Sequence, residues 1–117
     1  MNRLILVVVA AGFLSGCGGQ KAEAATCDSL PSNVTYTNKV KAFLESNCTQ
    51  CHSSANTNPF ARRNAPTGVD YDSYDAAKKN AAAGADATQN GEMPEGKTLS
   101  DEDKCLMRAW VSQNTPQ

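Results

Sequence analysis

The stretch "ESNCTQCHSS", residues 45–54, holds the only histidine of a 117-residue chain. Cys48, Cys51 and His52 form a Cys-x-x-Cys-His run, and three chemistries use such a run. In covalent haem attachment both cysteines form thioethers and the histidine ligates iron. The spacing has a reason. The thiols must reach two vinyl groups on one edge of the ring while the next residue turns back under the iron. A structural zinc site wants four Cys or His ligands. Here Cys27 or Cys105 would have to complete the set, with no second ligand pair in the chain. A thioredoxin-like dithiol sits beside a βαβ pattern, and no such pattern is present. A plain disulfide between Cys48 and Cys51 beside a surface histidine is the uneventful alternative. Haem attachment is the reading that export, spacing and the adjacent histidine favour together.

One histidine leaves the far side of an iron open. With no second histidine, bis-histidine ligation within the chain is excluded. The candidates are Met93, Met107, a lysine, water or nothing. Met93 lies in "NGEMPEG", a Gly- and Pro-bracketed loop well downstream of His52. The proline after it fixes φ and stiffens the loop. Met107 falls on the apolar face of the last helical segment, where a methionine is usually core filler. Met93 is therefore the expected distal ligand. A thioether opposite histidine raises the reduction potential. It also closes the iron to oxygen and substrates, which favours electron transfer over catalysis.

The rest of the chain must position these groups. Length argues for one small domain. Formal net charge is −1, with acids and bases interspersed, so no basic face points to nucleic acid. There are only one Trp, three Tyr and three Phe. A domain this small usually needs a disulfide, a metal or a cofactor to complete its core, and haem is itself a large apolar body. "MNRLILVVVAAGFLSGC" has a basic start at Arg3 and an apolar stretch from Leu4 to Leu14. It reads as a signal peptide over 1–16, too short for a spanning helix. Leu14-Ser15-Gly16-Cys17 resembles the lipobox of bacterial lipoproteins. There the cysteine becomes the first mature residue and carries lipid, a stable membrane anchor when multiply acylated. Residues 17–33 read as a lipidated flexible tether, and 34–117 as the folded domain. Loss of Arg3 with the signal leaves ten Lys and Arg against twelve Asp and Glu, a net charge of −2.

With Cys17 lipidated and Cys48 and Cys51 on haem, Cys27 and Cys105 remain in a compartment that permits disulfides. They are expected to pair and tie the early segment to the last helix. In "YTNKVKAFLESNC", Tyr36, Val40, Phe43, Leu44 and Asn47 make one stripe of a helix, with Thr37 or Asn38 as N-cap. Residues 53–68 are a long loop rich in Pro, Gly, Asn and Ser. Loops of this length are usually functional or wrap something. "VDYDSYDAAKKNAAAG" carries a second helix, capped by Asp72 or Ser73 and stopped at Gly84. "ADATQNGEMPEGKT" is read as a turn of helix at most, then loop. "LSDEDKCLMRAWVSQN" is the clearest helix, with Ser100 and Asp103 approximating a capping box and Leu106 and Trp110 at the heart of its apolar face. No strand pattern and no repeat is present. The class is all-α, with three or four short helices.

Together, the helix before Cys48, "CTQCH", "APTGVDYDSY", "GEMP" and the final helix resemble the small monohaem c-type cytochromes, over residues 34–113. The resemblance implies a cytochrome c-like bundle wrapped around one covalently bound haem c. It implies His52 as proximal ligand and Met93, of the Met-Pro pair, as distal. Pro66 resembles the proline whose carbonyl often takes the proximal imidazole N–H. Arg62 and Arg63 could meet the haem propionates, or form a solvated basic pair. Trp110 and Tyr71 are expected to pack on haem or helices. The chain departs from the family between Tyr74 and Met93, which is alanine-rich and thin in large apolar residues.

The function expected is single-haem electron transfer outside the cytoplasm: a carrier and not an enzyme, with no catalytic residue. Transient redox proteins would be its partners, with a membrane anchor at Cys17 and a monomeric state. It would stand on the periplasmic side of a bacterial membrane. Gly18 after Cys17, with no aspartate there, points to the outer membrane by the same resemblance. Two other classes stay open: a gas sensor or peroxidase-like protein with an open distal site, and a haem-free disulfide or redox lipoprotein.

Overall fold

The computed structural model describes residues 22–117. The expected signal peptide and Cys17 lie outside the described residues. Within them the chain is all-α, without strands. A π-helical turn, Tyr36–Val40, runs directly into α1, Lys41–Asn47; then come α2, Tyr74–Lys79, α3, Ala81–Gln89, and α4, Asp101–Ser112. None of these helices is long and apolar enough to cross a membrane.

The first helix starts at Tyr36, where its apolar stripe begins, and so two to three residues before the expected caps would allow. Thr35, not Thr37 or Asn38, is the N-cap. Its hydroxyl accepts from Asn38 N while the Asn38 side chain accepts from Thr35 N, a reciprocal capping box. The next two free N–H groups are met from the far end of the chain. Tyr36 N donates to the Pro116 carbonyl and Thr37 N to the Gln117 carbonyl. The same tail accepts from Trp110 Nε1 and Tyr74 Oη. Tyr36, Tyr74 and Trp110 pack there as an aromatic cluster, with centroids 5.4 to 6.3 Å apart. Val34, Val40, Leu44, Met107 and Trp110 are fully buried around it.

The middle of the chain corrects the sequence reading. Ser73 caps α2 through Ala76 N, as one of the two expected caps. The helix then breaks at Asn80, not at Gly84. Asn80 leaves helical geometry at φ −101° and ψ 7°, and its side-chain amide reaches the carbonyls of Gly68, Asp70 and Ala76. Gly84 sits inside α3, which continues to Gln89. A Cβ at residue 84 would stand 2.8 Å from Tyr71 Oη, so the glycine is kept for close packing and not as a stop signal. Alanines 77, 81 and 85 form a buried small-residue face, and α3 lies along α4. Arg108 of α4 pairs with Asp86 and Gln89 across that contact.

The segment read as a flexible tether is also different where it is described. Residues 22–34 form a strap across α3 and α4. Ala25 N donates to the Gln89 carbonyl, and Gln89 Nε2 returns a bond to the Ala25 carbonyl. The buried Lys104 donates to the Glu23 carbonyl at 2.7 Å. Cys27 is disulfide-bonded to Cys105, with Cα atoms 5.6 Å apart. At Gly91, φ is +70° and a Cβ would meet the Ala22 carbonyl at 2.3 Å, so only glycine lets the strap pass there.

Candidate functional site

The last turn of α1 delivers the cysteines. Cys48 N donates to the Leu44 carbonyl, and Cys51 N and His52 N both donate to the Cys48 carbonyl. The chain therefore folds back on itself within five residues. Cys48, Cys51 and His52 are all half-buried and line one cavity of about 400 Å³. Met93 and Pro94 line the same cavity, from the loop after α3. Its remaining wall is largely apolar: Leu44, Val69, Tyr71, Ala83, Ala87 and Met107 contribute to it. The alanine-rich stretch that reads as thin in sequence thus supplies both a tight face toward the core and an open face toward the cavity.

His52 is oriented from behind. A carbonyl can only accept, so its Nδ1–H donates to the Val69 carbonyl at 2.8 Å, and in the neutral ring the lone pair is on Nε2. The Pro66 carbonyl, expected in that role, instead accepts from Arg62 Nη2 and Val69 N. Tyr71 N donates to the His52 carbonyl at 3.0 Å, and its ring stands edge-on to the imidazole. Arg62 fits neither expected role, whereas Arg63 keeps the exposure that both require. Arg62 is buried and saturated by loop carbonyls and Asp70, whereas Arg63 is exposed at the cavity rim. Trp110 belongs to the aromatic cluster, and Tyr71 to the cavity wall. Met107 is fully buried in the core and also reaches the wall.

Electrostatics separate the possible uses of the cysteines. Cys48 and Cys51 are free thiols. Burial, then the neighbouring Cys51, pushes the Cys48 thiol up to about 11, against a weaker opposing pull from Lys97. A dithiol built for exchange has a lowered pKa; the Cys48 thiol is shifted the other way. Burial, then the Cys48 charge, pushes Tyr71 up to about 12, and it stays a neutral hydroxyl donating to the Asn80 carbonyl. The zinc reading loses its fourth ligand, since Cys27 and Cys105 are bonded to each other. Among the described residues no three of His, Cys, Asp and Glu are gathered closely enough to hold a metal ion by themselves.

Sequence reasoning missed Val69 and Asp70 and took Gly84 for a helix stop. A backbone carbonyl leaves no mark in a sequence, and Gly84 has meaning only beside Tyr71. Compared with protein-family models, curated proteins and solved structures, the chain matches none.

Proposed function

We propose that this protein carries one covalently attached haem and works as a single-electron carrier outside the cytoplasm. The observation that carries the reading is convergence. Cys48, Cys51, His52 and Met93, from two distant parts of the chain, line one apolar-walled cavity. The donor set fits the group. Two free thiols suit two thioether bonds, an imidazole with its lone pair on Nε2 suits a proximal ligand, and a thioether on the distal loop suits the sixth position. The volume also falls in the range of small-molecule and cofactor sites.

On this reading Cys48 and Cys51 hold the haem, His52 is proximal and Met93 distal. Haem bound in this way supplies a one-electron iron couple. The chain's own residues do the rest. Val69 fixes the tautomer and direction of His52. Leu44, Val69 and Met107 exclude water from the cavity wall, which limits the solvent rearrangement that accompanies a change of charge. Gly91 and Gly96, at φ +70° and +73°, bracket the Met93 loop, and Met93 N is tied to the Ala87 carbonyl. Transient redox proteins are the partners proposed, with lipid at Cys17 as the attachment to the periplasmic side of the outer membrane.

The test is an absorption spectrum, oxidised and reduced, of the chain exported in a host that matures c-type cytochromes. Wild type and Met93→Ala are compared. Covalent haem with a sulfur-to-iron band that is lost in the mutant is the expected result. Covalent haem without that band, or with ready carbon monoxide binding to wild type, would favour a sensor or a peroxidase-like protein. No covalent haem would sink the reading.

A further inference from the structure

Arg62 is 3% exposed although it sits in a loop without regular structure. A guanidinium has five N–H bonds to give, and five acceptors surround this one. Nε donates to the Ala65 carbonyl at 3.1 Å. Nη1 donates to the carbonyls of Ser53 and Asn56. Nη2 donates to the Pro66 carbonyl and to Asp70 Oδ1, each at 2.8 Å. No donor is left over for a ligand.

The two Nη2 contacts bracket a single turn. Val69 N donates to the Pro66 carbonyl at 3.2 Å, and Asp70 follows Val69 directly. One nitrogen therefore holds both ends of the turn that presents the Val69 carbonyl, and that carbonyl takes the His52 Nδ1–H.

We infer that Arg62, acting through Pro66 and Asp70, is a positioning residue for His52: it fixes the carbonyl that sets the tautomer and direction of the imidazole. The effect on iron rests on the haem reading; the effect on the ring does not. A ligand histidine that donates to a fixed acceptor is a stronger base. Without that acceptor it stabilises oxidised iron less, and the reduction potential rises.

The experiment uses the exported, 15N-labelled chain in its reduced state. Wild type, Arg62→Lys, Arg62→Met, Asp70→Asn and, as a control, Asp72→Asn are compared. Asp72 anchors Ser53 and Ser54 of the same loop without touching Val69. The readouts are the His52 ring 15N shifts, Nδ1–H exchange with solvent, and the reduction potential. In Arg62→Met, Nδ1–H exchange should speed and the His52 ring 15N shifts should move away from the wild-type values. The potential should rise, and each tenfold change in the reduction equilibrium reads as 59 mV for one electron. Asp70→Asn should give a smaller shift of the same sign. Arg62→Lys should regain stability but not the wild-type exchange rate or potential, because one ammonium cannot span both ends of the turn. Asp72→Asn should leave the ring and the potential as in wild type. If Arg62→Met does not accumulate, Asp70→Asn and Arg62→Lys decide. Variants that melt earlier but keep wild-type ring shifts and exchange would overturn the inference, leaving Arg62 a structural residue only. A chain that exports without haem would end the electron-carrier reading, while the ring measurement would still judge Arg62.

Discussion

The ring of Tyr71 meets the ring of His52 edge-on, at 74° and with centroids 5.5 Å apart. Its backbone N–H donates to the His52 carbonyl, and its hydroxyl to the Asn80 carbonyl at 3.3 Å. Tyr71 therefore links the histidine to the break between α2 and α3. Gly84 on α3 leaves the space that the Tyr71 ring occupies.

Gly84→Ala should destabilise the fold by about 1 to 3 kcal/mol, the usual range for overpacking. The sign is informative, because glycine to alanine inside a helix otherwise gains up to about 1 kcal/mol. Tyr71→Phe should cost about 1 kcal/mol for the lost hydrogen bond. Combined, the two should cost less than their sum, since the closest clash, at 2.8 Å, is with the hydroxyl oxygen. Cε1 and Cζ, at 3.2 Å, keep the relief partial. Urea denaturation of the double-mutant cycle measures this.

The Cys27–Cys105 bridge spans 78 residues of sequence. Replacing both cysteines with serine should lower stability by about 4 kcal/mol if loop entropy governs. The loss should appear equally on reduction of the wild type, and adding reductant to the double mutant should change nothing. Denaturation curves with and without reductant check it.

Asp72 accepts from Ser53 Oγ, Ser54 N and Ser54 Oγ. The Ser54 hydroxyl bond leads in holding this carboxyl below its ordinary value of 3.8; desolvation, next in size, opposes it, and the bonds from Ser53 Oγ and Ser54 N add to the lowering. A depressed folded pKa contributes stability that is complete above the unfolded value and is lost as pH falls through the folded one. The stability gap between wild type and Asp72→Asn should thus be constant near neutrality and close below 3.8. The group is exposed, so the gap is small. Thermal melts across the acid range check the sign.

Lys104 is nearly buried, with its amine on the Glu23 carbonyl and on Asp101 Oδ1 at 3.3 Å. Lys104→Met should leave α4 intact and loosen the strap at its first residues. Limited proteolysis should then cut between residues 22 and 26 earlier than in wild type, with the disulfide still formed.

The elements with their own amphipathic pattern were legible in the sequence. Val40, Phe43 and Leu44 mark α1, and Leu106 and Trp110 mark α4, because burial of those faces is what makes them helices. Ser73 and Ser100 were readable as caps because a hydroxyl before a helical run has a local reason. What was not legible depends on distant partners. The N-cap at Thr35 is completed by Pro116 and Gln117, and Gly84 answers to Tyr71. The strap reads as linker because most of its bonds run to backbone carbonyls; only its disulfide was legible. At the site, the motif residues and Met93 were legible by type. The orientation of His52 was not, because Arg62 works through carbonyls that any sequence could provide.

Ala83, Gly84 and Ala87 give α3 a face that bounds space without filling it. Such a face sheds little apolar surface when the helix forms, so the cavity side of α3 adds little of its own to stability. An occupant that buries that face would supply what the helix lacks, and binding to the native state alone raises its stability by mass action. If the proposed haem is that occupant, acquiring it and completing the fold would be a single event in the life of the chain.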